Sequence, residues 1–228
     1  MCDLLLTQFE EAVFLGHLLG DGHIQKRGQS FRSKISHSIK QKEYVEWKYE
    51  KLKRLCDQNH PPKLVINKKA NEQNYFFYLQ SGKYLKKYHD LFYQPYLWTS
   101  SVEDKTANVV QKIKYRKTIT PALIEALPSD PLLLAVWFLD DGSSRKDVFS
   151  GKLATQGFSK EEQFLLQMYL LKNFGIKTQL VLNSRQKKQY YLSIPSKGSH
   201  FSNFVKLISP FVNQIESMKY KISNPRND

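Results

Sequence analysis

Cysteine is nearly absent: Cys2 and Cys56 are the only two in 228 residues. Two such distant cysteines build neither a disulfide framework nor a zinc-ligand spacing. A reducing, intracellular compartment is expected, either a bacterial cytoplasm or an organelle. Long apolar runs are missing too. None approaches the roughly 20 residues that cross a bilayer, and Met1-Cys-Asp-Leu-Leu-Leu-Thr7 lacks the basic stretch and cleavage site of a secretory signal. No membrane partner is expected. Acidic residues are in deficit, 21 against 35 Lys and Arg, which leaves a net charge of +14. An excess that large in a folded chain points to a polyanionic partner. The 13 Tyr and 14 Phe argue against a disordered basic tail. His17, His23, His37, His60, His89 and His200 fall into no zinc or His-Asn-His grouping, which excludes nuclease chemistry of those kinds.

Two stretches organise what is present: Phe14-Leu-Gly-His-Leu-Leu-Gly-Asp-Gly22 and Leu134-Ala-Val-Trp-Phe-Leu-Asp-Asp-Gly142. Each is an apolar run that ends in Asp-Gly and reads as a helix stopped by glycine. A carboxylate there faces the negative end of the helix dipole, which is unfavourable by about 0.3–1 kcal/mol where exposed. The chain accepts this twice, and adds Asp140 the second time. A nearby cation would offset the penalty.

The surrounding pattern is also doubled. Thr7-Gln-Phe-Glu10 is a capping box that opens the first helix. Residues 23–39 alternate as a hairpin with Arg27-Gly-Gln at its turn, and Glu43 to Cys56 has helical spacing. Leu64–Asn67 and Tyr75–Leu79 read as a second hairpin around the loop from Lys68 to Asn74. Tyr84–Phe92 reads as a helix stopped by Pro95. Trp98 to Lys117 reads as a polar linker or partly helical excursion. Ser129-Asp-Pro131 then opens the second central helix. Arg145 to Gly157 reads as a basic hairpin, and Ser159-Lys-Glu-Glu162 is a second capping box. Lys177–Asn183 and Gln189–Ile194 make another hairpin, and His200–Ile208 a helix stopped by Pro210. Each copy ends in a basic tract, Lys114-Tyr-Arg-Lys-Thr-Ile119 and Lys219-Tyr-Lys-Ile-Ser223. The expectation is an α+β fold, a pseudo-twofold tandem αββαββα repeat, split as 1–118 (with 97–118 the linker) and 119–228.

In a pseudo-twofold protein equivalent residues meet at the axis. Gly16 and Gly20 share one helix face and admit a second backbone closely. A central helix pair then places Asp21 and Asp141 side by side. Paired carboxylates in a basic protein suit a hard divalent cation, Mg²⁺ above all, with carbonyls of Gly20 and Asp140 completing the coordination. Such an ion polarises a phosphoryl oxygen and generates a hydroxide nucleophile. Two antiparallel sheets with basic faces would form a DNA-binding saddle, strands in the major groove. The candidate contacts are Lys26, Arg27, Arg32, Lys34, Lys68 and Lys69 in the first copy. In the second they are Arg145, Lys146, Lys152, Arg185, Lys187 and Lys188. Which of them read bases and which hold phosphates stays open.

These two stretches resemble the paired motifs of monomeric LAGLIDADG homing endonucleases, the DNases encoded in mobile introns. The similarity extends over nearly the whole chain, through both motifs, the tandem repeat and the closing lysines. The resemblance implies that Asp21 and Asp141, each the Asp before the final Gly, are the catalytic acids. It implies a basic residue near each scissile phosphate, Lys117 and Lys221 by position. Further active-site groups fall at Lys40 or Gln41 and at Gln156. It implies a monomer acting on double-stranded DNA at a long asymmetric target, leaving short 3′ overhangs. Mg²⁺ is the implied cofactor, with Mn²⁺ substituting and Ca²⁺ binding without turnover. Val136 departs from the small residue expected on the second helix, and Gly16 is positioned to receive it. Asp140 is an acid that the pattern lacks. An intron RNA maturase, or a non-cleaving DNA-binding protein, is the alternative on this scaffold. A structural basic protein would not need the paired acids.

Overall fold

The first helix begins where its capping box predicts. The Glu10 N–H donates to the Thr7 hydroxyl and the Thr7 N–H to the Glu10 carboxylate. The computed structural model describes residues 4–57, 59–67, 72–99, 111–145 and 147–223. The first copy runs α1 (Gln8–Leu19), β1 (His23–Arg27), β2 (Ser30–Ser38), α2 (Lys42–Leu52), β3 (Lys63–Asn67), β4 (Glu72–Tyr78) and α3 (Lys86–Phe92). A hairpin, β5 (Tyr93–Thr99) and β6 (Gln111–Lys117), and a short helix α4 (Pro121–Ala126) follow. The second copy runs α5 (Pro131–Asp141), β7 (Gly142–Ser144), β8 (Gly151–Leu153), α6 (Lys160–Phe174), β9 (Gln179–Ser184), β10 (Gln189–Ile194) and α7 (His200–Val212). The repeat is therefore αββαββα in both halves. Each half folds its four strands into an antiparallel sheet of the same order, β1-β2-β4-β3 and β7-β8-β10-β9.

Helices α1 and α5 pack along each other at the centre, and every residue from Leu132 to Leu139 is buried. The close approach needs glycine. A Cβ on Gly16 would lie 2.5 Å from the Leu133 carbonyl oxygen and 2.9 Å from the Val136 Cβ, and one on Gly20 would lie 2.5 Å from the Asp140 Cβ. Gly16 thus receives Val136. The second capping box is also formed, with Ser159 and Glu162 bonding each other's N–H groups at the start of α6.

Helix α3 ends at Phe92 as expected, and the structure departs from the sequence reading just beyond it. Pro95 lies inside β5, in a two-stranded ribbon, where an edge position tolerates a missing donor. The stretch read as linker or partly helical is instead the second strand of that ribbon, beyond residues 100–110, which lie outside the described residues. Pro210 does not stop α7, which continues to Val212. The proline removes the N–H that the Lys206 carbonyl would accept, and the Ser209 hydroxyl donates to that carbonyl instead, at 3.3 Å. Among the described residues no helix is long and apolar enough to cross a membrane.

Candidate active site

Gly20 caps α1 and Asp21 follows it, its side chain half exposed, while Asp141 is the last residue of α5. The two acids converge. Burial first, then the charges of Asp21 and Asp140, push the Asp141 carboxyl up to about 7. Each helix end also receives a lysine. The Lys117 Nζ, from the end of β6, donates to the Gly20 carbonyl at 3.0 Å. The Lys221 Nζ, from a terminal 3₁₀ turn at Glu216–Lys221, donates to the carbonyls of Leu139 at 2.6 Å and Asp140 at 3.3 Å. An ammonium on the last carbonyls of a helix complements its negative end. These are the cations that the misplaced acids call for. Burial pulls Lys117 down to about 8, against the charges of Asp141, Asp140 and Asp21. Burial lowers Lys221 as well. Asp21, Asp141, Lys117 and Lys221 are thus brought into one electrostatic cluster at the meeting of two helix ends. The Gly20 and Asp140 carbonyls, expected near a metal ion, accept these lysine donors.

Asp140, whose carbonyl rather than carboxylate was expected near the metal, turns its carboxylate to other partners. Its side chain is fully buried and turned into the first half of the chain, not toward the cluster's open side. The Lys48 Nζ donates to its Oδ1 at 2.6 Å, the Tyr44 hydroxyl to the same atom at 2.7 Å, and His17 Nδ1 lies 2.8 Å from its Oδ2. Burial alone would raise this carboxyl, but Lys48 and His17 hold it well below the usual carboxylate range. Oxygens of Asp21 and Asp140 and a nitrogen of His37 do lie within 4.8 Å of one another. The Lys48 side chain nevertheless takes the place a cation would need there.

The expected nucleic-acid contacts separate by strand alternation. Asp21, His23, Gln25, Arg32, Lys34, Ser36 and Tyr78 line one cavity of about 360 Å³, which joins the first acid to the outer sheet face. Arg32 lies 3.4 Å over the Tyr78 ring and Lys34 4.3 Å over the Phe76 ring, which holds both heads on that face. Arg27 alternates onto the same face. Lys26 does not: its Nζ donates to the Tyr115 hydroxyl on the hairpin side at 3.1 Å. In the second sheet Lys152 faces outward between Ser143 and Ser193, and Arg185, Lys187 and Lys188 are exposed at the β9–β10 turn. Arg145 is tied to Asp147 by a two-pronged ion pair, which weakens its claim on phosphate. Lys40 sits exposed beside a cavity lined by Ser38, Glu72 and Asn74, away from the Asp21 cavity. Gln41 and Gln156 are half-buried, Gln156 in the turn after β8. Lys68, Lys69 and Lys146 lie outside the described residues.

Comparison with known proteins is decisive here. The sequence pattern of the LAGLIDADG DNA endonuclease family matches residues 11–201, which includes both Asp-Gly helix ends. The chain belongs to that family. A curated relative, DNA endonuclease I-ChuI of Chlamydomonas applanata, is 27% identical over 229 residues, 96% of each chain. Among solved structures, the homing endonuclease I-WcaI bound to its DNA recognition sequence matches with a TM-score of 0.73 at 24% identity, over 97% of this chain and 88% of that one. That likeness shows the fold: α+β with two four-stranded antiparallel sheets. As a LAGLIDADG protein the chain is a site-specific DNA endonuclease.

Some residues with a place in this LAGLIDADG site escape sequence reading. His37 lies 3.6 Å from Asp21 by its Nδ1. It ends the inward row Phe31, Ser33, Ile35, His37 of β2, so the only hint is a polar ring in a core register. Lys48 sits on the buried stripe Tyr44, Val45, Lys48, Tyr49, Leu52 of α2, a cation at an apolar position. The hairpin adds Lys112, Lys114 and Arg116 on one exposed face with Gln94, Tyr96 and Trp98, and Lys114 stands 3.5 Å over the Trp98 ring. Its alternation was hidden by a basic residue at every second position.

Proposed function

We propose that this endonuclease acts as a monomer that holds Mg²⁺ at Asp21 and Asp141 and cuts both strands of a long asymmetric duplex target. Each half, 1–118 and 119–228, supplies one acid and one lysine. The observation that carries this is the convergence of the two acids at paired helix ends, with Lys117 and Lys221 on the adjoining carbonyls. The donor set fits a hard cation. Carboxylate and carbonyl oxygens are its ligands of choice, and positive charge would offset the burial, and then the neighbouring acids, that push Asp141 up to about 7. Mn²⁺ replaces Mg²⁺ with retained cleavage, and Ca²⁺ binds without turnover. A divalent ion there supplies Lewis-acid polarisation of the phosphate and a water of lowered pKa.

The chain's own residues do the rest. Lys117 and Lys221, freed to turn from their carbonyls toward a phosphate, stabilise the charge that develops on it. Arg32 and Lys34 beside Asp21, and Lys152 with the β9–β10 turn on the other sheet, hold the duplex across a saddle. The hairpin face of Lys112, Lys114 and Arg116 extends the basic surface of the first half.

A plasmid library cut in Mg²⁺ tests the proposal. The native protein should cut a rare site. Asp21→Asn and Asp141→Asn should bind the same site yet make no double-strand breaks. Equal cutting by all three proteins overturns the assignment. Retention of intron RNA with no DNA cleavage would replace it by a maturase role.

A further inference from the structure

Beneath the acid cluster lies a buried polar assembly that the cutting of DNA does not itself explain. It joins His17 of α1, His37 of β2, and Tyr44 and Lys48 of α2 to Asp140 of α5, the one member from the second half. Lys48 and Asp140 have no side-chain exposure at all. A buried charge persists only with partners in good geometry, and four polar side chains of the first half supply them. The place is asymmetric. Counted from the Asp-Gly ends, the counterpart of Asp140 is Gly20 and that of His17 is Trp137. In the second half the helix after the first hairpin buries Gln163 instead, bonded to Thr155 and to backbone carbonyls, with no charge.

The contact lengths assign the protons. Asp140 Oδ1 accepts from Lys48 and Tyr44; His17 Nδ1 lies 2.8 Å from Oδ2 and 3.2 Å from the Lys48 Nζ, and the shorter contact gives its proton to Oδ2, which leaves His17 Nε2 as a lone pair without a partner. Lys48 has no acceptor role in this set, so its contact with His37 Nε2 at 3.1 Å makes that nitrogen the acceptor. The ring proton of His37 is then on Nδ1, the nitrogen that faces Asp21 Oδ2 at 3.6 Å. The Tyr44 ring packs at a tilt against the His37 ring, with centroids 5.1 Å apart, and limits its rotation.

We propose that Lys48, anchored by Asp140, is a positioning residue that fixes His37 with its Nδ1–H toward Asp21, and so sets the geometry of one of the two cleavage centres alone. Asp141 has no such support among the described residues. The second half of the chain therefore tunes, through Asp140, the acid carried by the first. In this tautomer His37 turns an N–H, not a lone pair, toward the Asp21 carboxylate 3.6 Å away.

The inference rests on the proposed one-acid-per-strand reading, and its test separates the two. A duplex carrying the target found in the plasmid library is labelled on each strand, and cleavage is followed at saturating protein and Mg²⁺. Asp21→Asn identifies the strand that depends on Asp21. Lys48→Met and His37→Ala should each slow that strand about 10–100-fold, accumulate nicked duplex, and leave the other strand's rate and the DNA affinity within about twofold. His37→Asn keeps a donor where Nδ1 stands and should recover most of the rate. His37→Ala leaves the Lys48–Asp140 pair in place, so it reports even if Lys48→Met fails to fold. Equal slowing of both strands by His37→Ala, or no slowing, overturns the positioning role. Loss of both strands alike in Asp21→Asn overturns the reading beneath it.

Discussion

Asp141 occupies a position where a carboxylate is disfavoured without metal, and pH exposes this. Its folded value of about 7 lies above the ordinary 3.8, so the folded metal-free protein holds a proton that the unfolded chain has shed. Stability then falls as pH rises across that window. Thermal unfolding in EDTA should show Tm declining between pH 5 and 8 in the native protein and more weakly in Asp141→Asn. The Tm gain from Mg²⁺ should grow over the same range, because the ion competes with the proton, and should be small and flat in the variant. At Gly16 the constraint is steric. A Cβ would lie 2.5 Å from the Leu133 carbonyl oxygen, a backbone atom that cannot swing aside. Gly16→Ala should therefore destabilise by about 1–3 kcal/mol in urea unfolding, and an unchanged midpoint would contradict the tight α1–α5 crossing.

At the scale of elements, what local chemistry dictates was legible and what distant partners dictate was not. Thr7 and Ser159 announce their helices because a capping box is complete within four residues. Ser159→Ala should lower stability by about 1 kcal/mol in urea unfolding. The doubled strand pattern and the Asp-Gly ends likewise lie in the order of residues, so the repeat and the meeting of Asp21 with Asp141 could be inferred. Pro210 misled because its rescue comes from a neighbouring hydroxyl, Ser209, and not from the helix pattern. The partner of Lys26 was not legible because the Tyr115 hydroxyl belongs to a hairpin that was itself unread. The Asp140 assembly draws on three other elements, and no spacing rule connects them. The β5–β6 ribbon gives a direct test of its basic face. Replacing Lys112, Lys114 and Arg116 by Ala should weaken DNA binding and lower the salt slope, by about 0.9 for each phosphate that is no longer neutralised. Cleavage at saturating DNA should be unchanged.

For the whole molecule, a net charge of +14 separates binding from cutting. On the proposed reading, grip on the duplex belongs to lysines and arginines spread over two sheets and a ribbon, and hydrolysis to the cluster of Asp21 and Asp141 with its metal ion. EDTA should abolish cleavage while a gel-shift assay still shows the complex, with affinity that falls steeply as salt rises. Loss of binding on chelation would instead make the ion part of the DNA grip. The crossing of α1 and α5 carries a further consequence. Two first halves brought together would set Gly20 against Gly20 and leave Lys48 entombed with no acid to answer it. Two second halves would drive Val136 onto Val136 and bury Asp140 against Asp140. Neither half can be its own mate. The halves are unlike partners, and a chimaera that exchanges one half should assemble only when the incoming half keeps its side of the Gly16–Val136, Gly20–Asp140 and Lys48–Asp140 contacts.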